Sequence, residues 1–311
     1  MARHRLIVNP TAGRGEAGRS IERIEQTLRR LGVEFDLVRT ERPMHAAELA
    51  QRAVRDGCEV VVSVGGDGTA NEVLNGLLAA RSAGEGEATM GILCVGRGND
   101  FAFGVGIPHD LDAGCRALAD GHRRTIDVGW VEGEPDVEAR HFGNGVGIGF
   151  DTVVGFEAAK LKRLHGFLGY FVAAMKTIFL YFTAPAVRIE VDDETFDQRA
   201  LMVSIMNGRR MGGGFMMAPS AQIDDGEFNL CIVRQISRLG IFAMIPRFMK
   251  GTQEGRPPVR TGRTRRISVT AVDGVLPAHA DGETLCVRGK RLTLEVRPRQ
   301  IDMVCPAPIA R

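Results

Sequence analysis

The chain reads as two domains: an α/β domain on a doubly wound parallel sheet over residues 1–125, then a β-rich domain with an antiparallel sheet over residues 126–297. Three observations predict this. Residues 60–64, Val-Val-Val-Ser-Val, form an apolar, β-branched run that suits a strand buried on both faces, and a glycine turn and an amphipathic helix follow it directly. Strand–turn–helix units recur four times in the first 125 residues, the signature of a parallel sheet covered by helices. From about Thr125 the helix rhythm fades and strand patterns take over.

The composition sets the outer bounds. A chain of 311 residues, 44% hydrophobic and 25% charged, can bury two cores, and a net charge of +2 is too small to argue for a nucleic-acid partner. Six cysteines stand singly with no C-x-x-C pair, which points to neither a zinc site nor a disulfide framework and suits a reducing compartment. The first residues run into a strand without a signal-peptide apolar region, and no stretch reaches the roughly 18 clean apolar residues of a spanning helix. The expectation is a cytoplasmic protein.

In chain order, residues 6–8 form the first strand, and Asn9, Pro10, Thr11, Ala12 and Gly13 lie in the turn after it. Ile21, Ile24, Leu28 and Leu31 mark one apolar stripe of a helix. Gly13 to Ser20 reads G-x-x-x-x-G-R-S, a phosphate loop without its lysine, which argues against a P-loop NTPase. Residues 35–38 form a second strand that leads to Thr40, at the carboxyl end where open α/β sheets bind ligands. A helix over 46–55 follows. After the strand at 60–64 come Gly65, Gly66, Asp67, Gly68 and Thr69, and a helix that begins near Ala70, Asn71 and Glu72. Glycines let backbone approach a ligand, and a helix start offers unpaired N–H donors. A carboxylate among such donors suits Mg²⁺ or a hydroxyl proton rather than a phosphate, so Asp67 is the candidate for either task. A strand at 90–95 ends the fourth unit, before Gly96-Arg97-Gly98-Asn99-Asp100-Phe101-Ala102.

In the second domain, residues 127–131, 187–191, 200–206, 228–233, 267–271 and 292–296 read as strands, and 156–182 and 236–250 as apolar helical regions with basic flanks. Either helical region could pack on a sheet or meet a membrane surface. Arg256, Arg260, Arg263, Arg265 and Arg266 form a basic run, most simply a solvated face. Asp224 and Asp225 are adjacent and repel unless hydrogen bonds, water or a cation compensate. Asp281-Gly282-Glu283 is a turn that can project two carboxylates into one site.

The run GGDGTANEVLNGL strongly resembles the nucleotide-binding signature of the diacylglycerol kinase catalytic family, particularly its bacterial lipid kinases, with NAD kinases and phosphofructokinases as more distant relatives. The N-P-x-x-G turn, GRGNDFA, the segment from Asn144 to Asp151, GGG…P-x-A-x-x-D-D-G and D-G-E match the family in order, over nearly the whole chain. Arg97 departs from the family's usual Thr.

The resemblance implies an NAD kinase-like α/β domain to which the tail at about 298–311 returns, and an antiparallel sandwich as the second domain. It implies an ATP-dependent transfer of the γ-phosphoryl group to a lipid hydroxyl, most simply of a diacylglycerol. Asn9, Pro10, Thr11, Ala12, Gly13, Thr40, Gly65 through Glu72, Arg97, Asn99 and Asp100 would line the nucleotide site. Glu283, with Asp281 beside it and Asp67 across the reaction, would supply the base, and which of the three takes the proton stays open. A structural Mg²⁺ would sit on the Asp225 side chain and the Gln222 and Glu227 carbonyls, apart from the Mg²⁺ that accompanies ATP. The substrate implies reversible peripheral association with the inner face of a membrane, and a homodimer is left open. The alternatives are an NAD kinase-like enzyme with a soluble acceptor and a catalytically silent nucleotide- or lipid-binding regulator.

Overall fold

The computed structural model describes residues 4–96, 98–135, 137–160, 176–177 and 184–307. The chain divides into two compact units, residues 1–127 with 299–311, and residues 128–298. In the first, β1 (His4–Val8), α1 (Ala12–Arg19), α2 (Ile21–Arg30), β2 (Phe35–Arg39), α3 (His45–Arg55), β3 (Val60–Gly65), α4 (Asp67–Ser82), β4 (Thr89–Cys94), α5 (Asp100–Val105) and α6 (Leu111–Asp120) follow in order. The strands β2-β1-β3-β4 run parallel, His4 opposite Phe35 and Val60, and Val60 opposite Thr89. Every residue of β3 is buried, as its apolar run predicts for a central parallel strand.

The helices cover this sheet with narrow apolar stripes. Ile24 and Leu28 of α2 are buried against β1 and β3 residues, whereas Leu31, expected on the same stripe, caps the helix and is 38% exposed. α6 begins on an Asp110 cap that accepts from the Ala113 N–H at 2.9 Å and ends on Gly121 at φ +68. α4 starts at Asp67, earlier than the expected Ala70, so the aspartate occupies the first helical turn rather than a loop.

The chain leaves the first unit within β5 (Arg123–Glu134). The second unit contains β6 (Val137–Phe142), β7 (Gly145–Gly149), α7 (Phe150–Lys160), β8 (Ala186–Val191), β9 (Glu194–Met206), β10 (Phe228–Arg234), α8 (Arg238–Lys250), β11 (Val259–Thr264), β12 (Arg266–Ala271), β13 (Leu276–Ala280) and β14 (Glu283–Gly289). The chain then returns through β15 (Arg291–Val304), where Met303 pairs in parallel with Met90 of β4. Pairing within the second unit is antiparallel, and β9 organises it. Its first half pairs with β8 and its second half with β7 and β10, so one strand serves two layers. Between the layers lies a core that includes Val187, Ile189, Val203, Ile205, Leu230, Ile232, Ile267 and Leu294. The period-2 alternation of β10 puts Leu230 and Ile232 there, and Cys231 and Val233 in a second, methionine-rich core with α8. The apolar stretch at 167–182, a sequence-level candidate for membrane contact, lies outside the described residues apart from positions 176 and 177.

Candidate active site

The first unit gathers four loops at the carboxyl ends of its parallel strands, where ligands bind in such sheets. After β1, Asn9 ties its own turn to the β3 loop. Its Oδ1 accepts from the Thr11 N–H (3.1 Å) and hydroxyl (2.8 Å), and its Nδ2 donates to Thr69 Oγ1 at 3.1 Å. Pro10 stands between these partners, and Ala12 opens α1. Gly13, Arg14 and Gly15 then adopt left-handed conformations at φ 58, 63 and 83. A Cβ on Gly13 would come 2.2 Å from the Val95 carbonyl, so only glycine lets this turn close on the end of β4. After β2, the Thr40 N–H donates to Val8 O at 2.9 Å.

The β3 and β4 loops meet backbone to backbone. A Cβ on Gly96 would lie 2.4 Å from the Gly66 Cα, and one on Gly65 would lie 2.6 Å from Thr69 Oγ1. Asn99, at φ 52, closes the second loop: Oδ1 accepts from the Gly96 N–H at 3.1 Å and Nδ2 donates to Gly96 O at 3.0 Å. Its Nδ2 also lies 3.0 Å from His109 Nε2, a partner no sequence motif announces. Asp67 Oδ1 accepts from the Phe101 N–H at 3.1 Å. A Cβ on Gly98 would come 2.7 Å from Asp67 Oδ2 and 3.4 Å from Asp100 Oδ2, so two carboxylates converge on one bare glycine. The α4 N-terminus, from Gly66 through Gly68, has no side-chain cap.

Three further predicted residues lie in α4. Ala70 and Asn71 are buried, and the Glu72 carboxylate accepts from the Ala46 N–H at 3.0 Å, which caps α3. Arg97 lies outside the described residues.

In the second unit the acidic turn differs from its sequence reading. Asp281 and Gly282, at φ 49 and 85, join β13 to β14. The Asp281 side chain is buried: Oδ2 accepts from the Gly143 N–H at 2.7 Å, and Oδ1 from the Asn144 and Gly145 N–H groups at 2.9 Å each. The turn therefore does not aim two carboxylates at one place. Asp281 braces the 143–145 loop, and Glu283 is exposed at the start of β14. The reason is local: three successive backbone donors compensate a buried carboxylate fully.

The Asp225 loop engages its carboxylate with protein partners. Asp225 Oδ1 accepts from the Glu227 N–H at 3.1 Å, its Oδ2 pairs with the Arg263 guanidinium, and Arg263 Nε also meets Glu227 Oε2 at 3.0 Å. The cation that compensates this acidic loop is an arginine. Both Asp225 carboxylate oxygens are engaged in this way, so a Mg²⁺ on Asp225 and the Gln222 and Glu227 carbonyls would have to share the carboxylate with Arg263 or displace it. The basic run is partly spent in the same way, since Arg260 pairs with Glu194 and lies 4.1 Å over the Phe196 ring.

The second unit holds a small cavity of about 70 Å³, partly open to solvent, with Phe150, Leu201, Met211, Phe215, Met244 and Phe248 among its walls. Asp151 is the one charged lining residue among the described residues, and Asp151 Oδ2 lies 3.8 Å from His279 Nε2 over Gly147. The sequence named Asp151 only as the end of a glycine-rich segment and gave no sign of His279.

A family model for the diacylglycerol kinase catalytic domain matches residues 3–131, and one for the YegS C-terminal NAD kinase beta sandwich-like domain matches residues 144–305. A diacylglycerol kinase of Staphylococcus saprophyticus is 29% identical over 282 residues, 90% of this chain and 88% of that protein. One of Staphylococcus aureus is 28% identical over 90% of this chain and 86% of its own length. Among solved structures, a diacylglycerol kinase of Bacillus anthracis superposes with a TM-score of 0.74 at 20% identity, over 98% of this chain and 97% of that one. The yeast NADH kinase complexed with NADH does so at 0.52 and 9% identity, over 98% and 84%. The architecture is thus that of the diacylglycerol kinases and NAD kinases, a parallel α/β unit followed by an antiparallel β unit. The chain belongs to the diacylglycerol kinase catalytic family, and it is a kinase.

Proposed function

We propose that this kinase transfers the γ-phosphoryl group of ATP to the hydroxyl of a membrane lipid, an acylglycerol of the diacylglycerol type. The observation that carries the lipid acceptor is the apolar cavity of the second unit, whose lining, among the described residues, is apolar except for Asp151. Walls of this kind suit acyl chains. The names of the curated relatives support the same acceptor class.

The donor end rests on the first unit. Its loops fit phosphates: Gly13 and Gly96 leave no room for a side chain, and the uncapped α4 start offers donors and a partial positive charge. Asp67 and Asp100, converging on Gly98, fit a hard cation such as Mg²⁺. When bound, that cation would neutralise charge on the phosphates, the main electrostatic need of phosphoryl transfer. Asn9 and Asn99 hold the loops in register. In the second unit, exposed Glu283 takes the proton of the acceptor hydroxyl, and Asp281 acts as a positioning residue that fixes the turn presenting it.

Purified protein, labelled ATP and a panel of diacylglycerol, phosphatidylglycerol, a sphingoid base and NAD test the reading. Label in a lipid is the expected result. Label only in NAD would replace it with a soluble-acceptor kinase, and ATP binding without transfer to any acceptor would replace it with a regulator.

A further inference from the structure

α8 has two apolar faces, and among the described residues the fold covers only one. Ile241, Met244 and Phe248, spaced i, i+3 and i+7, are 4%, 8% and 7% exposed and form a wall of the apolar cavity. The opposite face carries Leu239, Ala243, Pro246 and Lys250 at i, i+4, i+7 and i+11, all exposed. Leu239 is 81% exposed, more than any other large apolar side chain among the described residues, and Met249 beside this face is 42% exposed. A helix that is apolar all round is normally buried all round.

The charges on α8 select what covers the outer face. Arg238, Arg247 and Lys250 are its only charged residues, three bases with no acid. Both ends are firmly built: Ser237 Oγ accepts from the Gly240 N–H at 3.1 Å, and Gly251 closes the helix at φ +67. A capped helix with a protruding leucine, an apolar strip and basic residues at both ends has the make-up of an interfacial helix on anionic lipid. No helix among the described residues is long and apolar enough to cross a membrane, so contact by this helix would be peripheral.

We infer that α8 is a docking helix for an anionic bilayer: Leu239 and Met249 enter the acyl–headgroup boundary, Arg238, Arg247 and Lys250 meet anionic headgroups, and the inner face walls the acceptor cavity. This rests on the lipid-acceptor reading and deepens it. One helix both meets the membrane and bounds the pocket, so a lipid acceptor reaches the cavity along α8 without crossing open water. In the basic run at Arg256 to Arg266, Arg260 and Arg263 are committed to acidic partners.

The test is flotation of the full chain with phosphatidylglycerol-rich and pure phosphatidylcholine vesicles. Wild type floats with the anionic vesicles and less so at high salt, where surface attraction is screened. Leu239→Glu removes one inserted apolar side chain and lowers partitioning on the order of tenfold. The double variant Arg247→Gln, Lys250→Gln lowers it on the order of tenfold at low salt and less at high salt. Val272→Glu, at a side chain 57% exposed elsewhere in the same unit, floats as wild type.

Equal flotation of wild type and Leu239→Glu overturns the inference. So does a solution dimer that Leu239→Glu abolishes while flotation stays unchanged, which would give the face to a second copy. Flotation needs no turnover, so the two readings fail separately. A protein that floats through α8 but phosphorylates no lipid sinks the acceptor assignment alone. One that phosphorylates dispersed lipid yet floats equally as Leu239→Glu sinks the docking helix alone.

Discussion

Asp67 and Asp281 stand in similar sequence settings, each next to glycine at the end of a buried strand, and the molecule uses them differently. Asp67 is half-buried, spends Oδ1 on the Phe101 N–H, and turns Oδ2 toward the bare backbone of Gly98, where Asp100 also points. Asp281 is buried and has both oxygens filled by three successive backbone N–H groups of the 143–145 loop. A motif identifies a carboxylate. Its partners decide whether that carboxylate is a tool or a brace.

The sharpest way to break this comparison is to remove the tool without removing the brace. Asp67→Asn keeps an oxygen for the Phe101 N–H and loses the charge beside Gly98. It should lower kcat on the order of 10³-fold, as loss of a group that stabilises transferring charge does, with an unchanged melting temperature. Glu283→Gln should lower kcat about 10²–10⁴-fold with little change in nucleotide affinity, the range for a lost general base. Wild-type turnover in either folded variant would remove that residue from the mechanism.

Asp281→Ala tests the brace. It strands the Gly143, Asn144 and Gly145 donors in a buried place, and about 2–4 kcal/mol of stability should go with them. Chemical denaturation measures this. Asp281→Asn should recover part of the stability, because its amide oxygen still accepts. A stable Asp281→Ala protein that is catalytically dead would instead make Asp281 a tool.

His141, two residues before the braced loop, adds a pH handle. Burial, reinforced by the Arg297 charge, lowers its pKa from the ordinary 6.5 to about 4. The folded state therefore keeps it neutral while the unfolded state takes a proton. Stability should be at its full value above pH 6.5 and fall as pH drops toward 4, by an amount on the order of 1–3 kcal/mol. His141→Phe should flatten that slope. An unchanged slope would assign the acid sensitivity to the carboxylates.

How much of this was legible follows the same division. The first unit's four strand–helix units were readable because buried parallel strands are continuously apolar, as at Val60 to Val64, and their turns are dense in glycine. α4 was read as starting late because Gly66-Asp67-Gly68 looks like loop: glycine has poor helix propensity, yet Gly68 lies in the first turn. In the second unit β11 was hidden. Val-Arg-Thr-Gly-Arg-Thr reads as a basic run, but it is a strand bonded to β10, and charged residues are what such strands carry. The first half of β9, Glu-Thr-Phe-Asp-Gln-Arg, was equally obscured by its polar face. Asp281 could not be read as a brace, because the donors it binds lie 136–138 residues away in the chain.

Asp225 is the smallest and most discriminating case, because its partner is a side chain rather than backbone. Two hypotheses compete for the loop: a divalent cation compensates the carboxylate, or Arg263 does. The Arg263 side chain is 52% exposed and that of Asp225 is 16% exposed, so their pair is a half-exposed one and about 1 kcal/mol is a fair ceiling for it. If Arg263 is the partner, Asp225→Ala and Arg263→Ala should each cost about that much, and the double variant should cost less than the sum of the two. Added salt should weaken wild type toward the single variants, since half-exposed pairs are screened. Mg²⁺ at concentrations that saturate turnover should leave the melting temperature without nucleotide unchanged in all three. A Mg²⁺-dependent rise in wild type that Asp225→Ala removes would show that a cation displaces the guanidinium. The loop would then join Asp67 and Asp100, the proposed cation site of the first unit, as a place that holds metal.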